Sequence, residues 1–343
     1  MGLICKSRIC KCLICKCRDT QQSLIAKQNT QLIDYLLSIE QHACRIRDSH
    51  LGIQDFHYNS SLNSLATLIA RKENLIAMKP EYVIGRQYFP DPDPNKGVFS
   101  NQPKTLTDLL FIIVDTARTM PFFDKLDLAD KICLITTIAL PLKTYHSAYY
   151  TSGKKSETLV MPNGFVVRNA FKANNIYKED VTINKFVKKL FDDSMEPFNR
   201  LQLSKEEFVL LRAIIFSHFV STGLSQYGRQ LLLTEAEKYS DILMKMLQKR
   251  YGPFPGAKRY AELLHLIEFC FNCGNNDSLW LNYMAYVKDP DCFHKSMPEA
   301  FLVTLVVVSS ASKFQICSYS YSYFVPPLFL ASYSYSYLVP PLF

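Results

Sequence analysis

The sequence predicts a mainly α-helical domain, and three observations carry that prediction. Apolar residues recur at helical spacing through most of the chain. Strand-like patterning is confined to one short stretch flanking a Pro-Asn-Gly step. Of 343 residues, 48% are hydrophobic and 20% charged, enough apolar mass for a sizeable core and too much for a disordered chain.

Residues 1–28 form a basic, cysteine-rich head. Residues 1–18 hold five Lys/Arg and no acid, and five of the 11 cysteines fall in the first 17 residues. Cys10, Cys12, Cys15 and Cys17 are dense enough in thiols to raise zinc as a ligand. No His stands near them and no second cluster of matched spacing follows, so they are the weak metal candidates and the head is expected to be a disordered or remnant segment. Residues 19–300 carry 33 basic and 31 acidic groups, a near-neutral body that excludes a domain wrapping nucleic acid. The six scattered cysteines sit in apolar stretches and read as reduced core residues in a reducing compartment. Cys270 and Cys273, a C-x-x-C late in a helical pattern, read as packing.

Helical spacing begins over residues 29–48, with Leu32, Tyr35, Leu36 and Ile39 on one face. A short helical pattern follows over 62–76. Residues 88–105 hold four prolines and must be a loop. Residues 105–126 place apolar groups at i, i+3, i+4 and i+7, the stripe of a core helix. Residues 127–150 are apolar on nearly every face, and Pro141 should bend or end that helix. Residues 157–168 read as a small hairpin. A helix follows over 179–200. Ser204 and Glu207 make a capping box for a helix over 204–220. Further helices occupy 224–251 and 255–287, the last interrupted at Gly274-Asn275-Asn276. His218 and His265 read as packing residues. Residues 307–343 repeat a Ser-Tyr-Pro motif with a period of 14 and are expected to be a low-complexity tail without a packed structure. The apolar run 300–308 is far too short to span a membrane.

The chemistry-bearing motifs of enzymes are missing: no H-E-x-x-H, no phosphate-binding glycine loop, no G-x-S-x-G, and no histidines at metal-ligand spacing. An enzyme is not expected.

The segment from Ala117-Arg118 through Pro121, Phe122 and Leu126 to Asp130-Lys131 and Leu134-Ile135 carries the most specific signal. It resembles the signature of nuclear hormone receptor ligand-binding domains, with Arg118 for the usual Lys, Lys131 for Gln and Ile135 for the last Leu. Arg259-Tyr260-Ala261-Glu262-Leu263-Leu264, late in the domain, also resembles that family, and the wording of the first helix and of residues 120–131 is similar to its large nematode branch. The resemblance covers residues 29–306. It implies a three-layer helical sandwich with one small β-hairpin, a nuclear location, a small lipophilic ligand, coactivator or corepressor LxxLL helices as partners, and homo- or heterodimers through the helix at 255–287.

By the same resemblance a coregulator helix would dock in a groove lined by Val114, Leu128, Ile132 and Ile135, with Arg118 and Lys131 at its rim. Arg118 would cap the carboxyl end of the docked helix, where the dipole is negative. The alternative is that Arg118 is only a solvated helix residue. The ligand pocket would be enclosed by Leu106, Leu109, Leu110, Ile113, Leu140, Thr144, Ser147, Met161 and Phe165, with Thr144 and Ser147 orienting the ligand. The competing reading is a filled core. The chain departs from the family in two places. The head cannot form the family's zinc-finger module, so direct DNA binding is in doubt, and Thr304 stands where the activation helix should carry a Glu. These departures sustain a second reading, a ligand-free dimerisation or interaction protein that titrates full receptors without binding DNA itself.

Overall fold

The computed structural model describes residues 13–48, 50–51, 64–77, 83–84, 93–98 and 105–288. Helices dominate them: α1 Leu13–Arg47, α2 Leu65–Ala70, α3 Thr105–Ala117, α4 Leu128–Ser152, α5 Val167–Ala173, α6 Val181–Val187, α7 Glu196–Leu201, α8 Lys205–Phe216, α9 Gln226–Tyr251 and α10 Pro253–Tyr283. Their starts follow from short oxygen-bearing side chains that satisfy the first free amides. Ser64 caps α2, Asp127 caps α4, Asp180 caps α6 and Ser225 caps α9. Each such cap is worth about 1 kcal/mol. The capping box of α8 is present in full, with Glu207 Oε2 accepting from Ser204 N at 2.8 Å.

The helices stack in three layers. α1 and α3 lie on one side, α4, α8 and α9 in the middle, and α10 on the other. α3 packs on α4, α1 on α8, and α10 on both α4 and α9. This is the expected all-α class. Aromatic rings join α4 to α8, with Phe208 stacked on Tyr145 at 4.9 Å and on Tyr149 at 3.8 Å.

Several elements differ from the expectation, each for a physical reason. The first helix starts at Leu13, inside the stretch read as a separate head. α4 does not end at Pro141 but runs on to Ser152. α10 is continuous through Gly274, which marks its closest approach to Pro141 rather than a break. The helix expected over 179–200 divides into α6, a π-type turn Lys188–Asp192 and α7. Pro197 sits in the first turn of α7, where its missing N–H costs nothing, so the ladder restarts there.

The hairpin at 157–168 shrinks to a single bridge between Val160 and Val166. It is closed by Gly164 N donating to Met161 O at 2.9 Å, with Gly164 at φ 88, a left-handed conformation that glycine adopts without strain. It cannot widen, because α5 begins at Val167 and Leu159 N donates instead to Phe191 O at 2.8 Å. A second small sheet pairs His50–Leu51 antiparallel with Val83–Ile84. His265 is not a packing residue: its side chain is 81% exposed and faces Glu268. His218 is half-buried and lies 4.4 Å from the Phe271 ring in a tilted arrangement. The repeat tail and the segment around Thr304 lie outside the described residues.

Candidate functional site

The residues of the sequence signature meet where α3 hands over to α4. α3 ends at Ala117, a tight path carries the chain past Pro121 through a 3-10 turn at Phe123–Lys125, and α4 begins at Leu128. Met120, Phe122, Phe123 and Leu126 are buried, so the turn is an apolar wedge rather than a flexible link. Leu128, in the first turn of α4, is 48% exposed. Ile132 and Lys131 are half-buried beside it on the same helix, and Val114 and Ile135 are buried. Lys131 Nζ lies 5.4 Å from the Phe123 ring, a position in which the ammonium rests on the ring face and still reaches solvent.

Arg118 points inward. Its Nη1 donates to Glu73 O at 2.7 Å and to Asp115 Oδ1 at 2.9 Å, and its Nη2 donates to Arg71 O. It is therefore not the freely solvated residue of the bland alternative. Asp115 is fully buried and accepts from Arg71 and from Leu75 N as well. Burial pushes its carboxyl pKa up, and the two guanidinium groups and the amide oppose that push.

Asp130, the signature's acidic residue, does not face this groove. It is 1% exposed and accepts from Ser225 N at 2.7 Å and from Ser225 Oγ at 2.6 Å. Ser225 in turn accepts from Gly228 N at 2.9 Å as the cap of α9. The signature Asp is thus a latch between the start of α4 and the start of α9.

Several of the residues expected to enclose a ligand belong to the hydrophobic core or pack against it. Leu110, Ile113 and Leu140 are buried, and Leu109, Met161 and Phe165 pack half-buried against the same cluster. The side chain of Leu106 lies outside the described residues, although its backbone belongs to α3. Ser147 is half-buried. Thr144 is buried, and its hydroxyl donates to Asp277 Oδ2 at 3.0 Å. Lys143 Nζ reaches the other oxygen of Asp277 at 2.7 Å. Thr144 is therefore engaged in holding α4 to α10, a role that sequence reasoning missed.

Two further buried charges were also missed. Arg212 on α8, fully buried, pairs with Glu40 on α1. Glu40 accepts as well from Tyr150 Oη and from Cys44 Sγ. The signal was present in part. A charge inside Phe-Val-Leu-Leu-Arg-Ala-Ile-Ile must be paired, as must Asp115 and Lys143 in their apolar runs. His146 lies beside this cluster, 5.8 Å from the Phe208 ring, and burial holds its pKa well below the usual histidine range.

Among the described residues no group of His, Cys, Asp or Glu is arranged to hold a metal ion, and no helix is long and apolar enough to cross a membrane. Cys10 and Cys12 lie outside the described residues, and of Cys15 and Cys17 only the helical backbone is described. Cys44, Cys133, Cys270 and Cys273 are free thiols.

Residues 99–268 match the family model described as the ligand-binding domain of nuclear hormone receptor. The chain is similar to three curated proteins of Caenorhabditis elegans. It is 25% identical to nuclear hormone receptor family member nhr-1, over 45% of this chain and 34% of that protein. With family member nhr-35 the figures are 29% identity over 39% of this chain and 25% of the relative. With family member nhr-47 they are 35% identity over 22% of this chain and 13% of the relative. The aligned part of this chain spans about a third of the length of nhr-1.

Proposed function

Because the chain belongs to the nuclear hormone receptor ligand-binding domain family, we propose that it is a ligand-regulated transcriptional regulator of the nucleus. It takes a small lipophilic ligand among α3, α4 and the Met161–Phe165 turn, and a coregulator helix in a groove at the start of α4. The observation that supports the groove is Leu128. A leucine 48% exposed beside half-buried Ile132, above buried Val114 and Ile135, is what an amphipathic LxxLL helix would cover. Lys131 would stand at the rim. The ligand reading rests on apolar Leu109, Leu110, Ile113 and Leu140 of two adjacent helices, which share one hydrophobic core with Met161 and Phe165.

A second reading is a ligand-free interaction domain that pairs with full receptors and does not itself bind DNA. It is favoured by Thr144, whose hydroxyl is spent on Asp277 rather than left to orient a ligand, and by Leu279, 49% exposed on α10, the helix proposed as the dimer face.

Native mass spectrometry of the full chain separates the two readings. A mass excess that disappears on denaturation and matches a lipid-sized molecule supports the ligand reading. A bare mass for folded protein, with dimers at micromolar concentration, supports the second.

A further inference from the structure

We infer that Arg118 is a two-position residue: its inward seat on the segment 71–77 must be given up when a partner helix docks at the start of α4, and Arg71 is the residue that permits the exchange. The inference rests on the groove reading above.

In the inward seat Arg118 binds two backbone carbonyls, Glu73 O and Arg71 O, and one oxygen of Asp115. Free backbone carbonyls are also what the carboxyl end of a docked helix presents. The two sets make the same demand on one guanidinium, so the seats exclude each other. A partner helix therefore competes with a piece of this chain that already imitates it.

The exchange would fail if it stranded a buried charge. Asp115 is fully buried, and an unpaired carboxylate there would be strongly unfavourable. Arg71 prevents this. It binds Oδ2 while Arg118 binds Oδ1, and Leu75 N donates to Oδ2 at 2.6 Å. When Arg118 leaves, Asp115 keeps a counter-charge and an amide. The carbonyls left behind belong to a stretch whose neighbours Lys72 and Glu73 are exposed, so water replaces the guanidinium. The segment stays in place without Arg118, because Leu75 and Ile76 are buried and Asn74 Nδ2 donates to Asp115 O at 3.1 Å. The Arg118 side chain is 14% exposed, at the edge of the fold, so it can swing outward without opening the core. Arg71 is thus a positioning residue for partner binding although it acts only through Asp115.

The test is the affinity of the full-length chain for a fluorescent amphipathic peptide carrying Leu-x-x-Leu-Leu, read by anisotropy, with thermal melting to confirm folding. Leu128→Glu should abolish binding and Arg118→Ala should weaken it about tenfold. Arg71→Gln should also weaken it several-fold, because Asp115 then retains Arg118, while Arg71→Lys keeps the counter-charge and binds as the parent does. The decisive variant is the pair Arg71→Gln with Asp115→Asn, which removes both opposing charges and should restore parental affinity; a merely structural role for Arg71 predicts no such rescue. Unchanged affinity in a folded Arg71→Gln protein, or a pair that fails to recover, overturns the inference. Should Leu128→Glu abolish binding while Arg118→Ala leaves it untouched, the groove stands and the inference falls. A parent chain that binds no peptide removes the groove and the inference together.

Discussion

Pro141 of α4 and Gly274 of α10 touch backbone to ring: a Cβ added at Gly274 would lie 2.6 Å from Pro141 Cδ and 2.8 Å from its nitrogen. Neither residue acts as its type does in isolation. The proline does not end its helix and the glycine does not break its own, and together they let α4 and α10 pack closely where they meet. Gly274→Ala should therefore destabilise the fold by about 1–3 kcal/mol, the range for overpacking a rigid contact. Gly153→Ala is the control. Its Cβ would meet only Tyr150 O, at 3.7 Å, so that variant should be neutral or slightly stabilising. Chemical denaturation of both variants checks the difference, and equal stabilities would remove the crossing as a constraint.

The Asp130–Ser225 latch makes a second prediction. A Cβ at Gly228 would lie 2.2 Å from Asp130 Oδ2, so Gly228→Ala must break the latch or displace α9. Asp130→Ala deletes it outright and leaves the Ser225 amide without its acceptor, at a cost of about 1–3 kcal/mol. If the latch is the shared cause, the two substitutions combined should cost clearly less than the sum of each alone. Strict additivity in denaturant titrations would argue that they act independently.

What could be read from the sequence divides along a physical line. Interactions closed within a few residues were legible. Ser204 and Glu207 form their capping box, Pro121 turns the chain between α3 and α4, and the class of the fold follows from helical spacing. Interactions whose second half lies in another element were not. Arg212 announces a buried partner by standing in an apolar run, but Glu40 is 172 positions away. Gly274 reads as a break until Pro141 is placed beside it. The inward seat of Arg118 depends on carbonyls at 71 and 73, and carbonyls carry no residue-type signal at all. Val114 and Arg118 lie at the end of α3, and Leu128, Lys131, Ile132 and Ile135 in the first turns of α4, so the sequence sets them close along the chain, whereas the bond of Thr144 to Asp277 spans 133 positions and leaves no local signal.

Arg212 and Glu40 supply a third prediction. Removing one partner leaves a buried charge, so Arg212→Met or Glu40→Gln alone should cost about 3–5 kcal/mol. Glu40 also receives Tyr150 Oη and Cys44 Sγ, which should make its loss the more damaging to the α1–α4 contact. The double replacement Glu40→Gln with Arg212→Met leaves no charge behind and should recover much of the loss. A double-mutant cycle by thermal melting reads the coupling directly; a coupling near zero would mean the pair is incidental to packing.

The last prediction concerns pH. Burial holds the His146 pKa well below the usual histidine value, and desolvation lowers that of His218 to about 4. In the unfolded chain both titrate near 6.5. A histidine depressed by folding binds fewer protons in the native state, so its contribution is complete above the unfolded pKa and is lost as pH falls below it. For His218 the window runs from 6.5 down to about 4, and for His146 it starts at the same upper limit. Within that window each histidine should remove up to about 1 kcal/mol of stability per pH unit. Carboxylates lose stability in the same direction, Glu206 and Asp180 among them, since their pKa values are lowered in the fold. The histidine share must therefore be read as a difference. A His146→Phe, His218→Phe double variant should melt closer to the parent as pH falls from 7 to 5, with the gap between them closing or reversing. His146→Phe is expected to fit, because the imidazole already lies among the rings of Tyr145 and Phe208. Parallel melting curves for the two proteins across that range would show that neither histidine is neutral because the fold requires it to be.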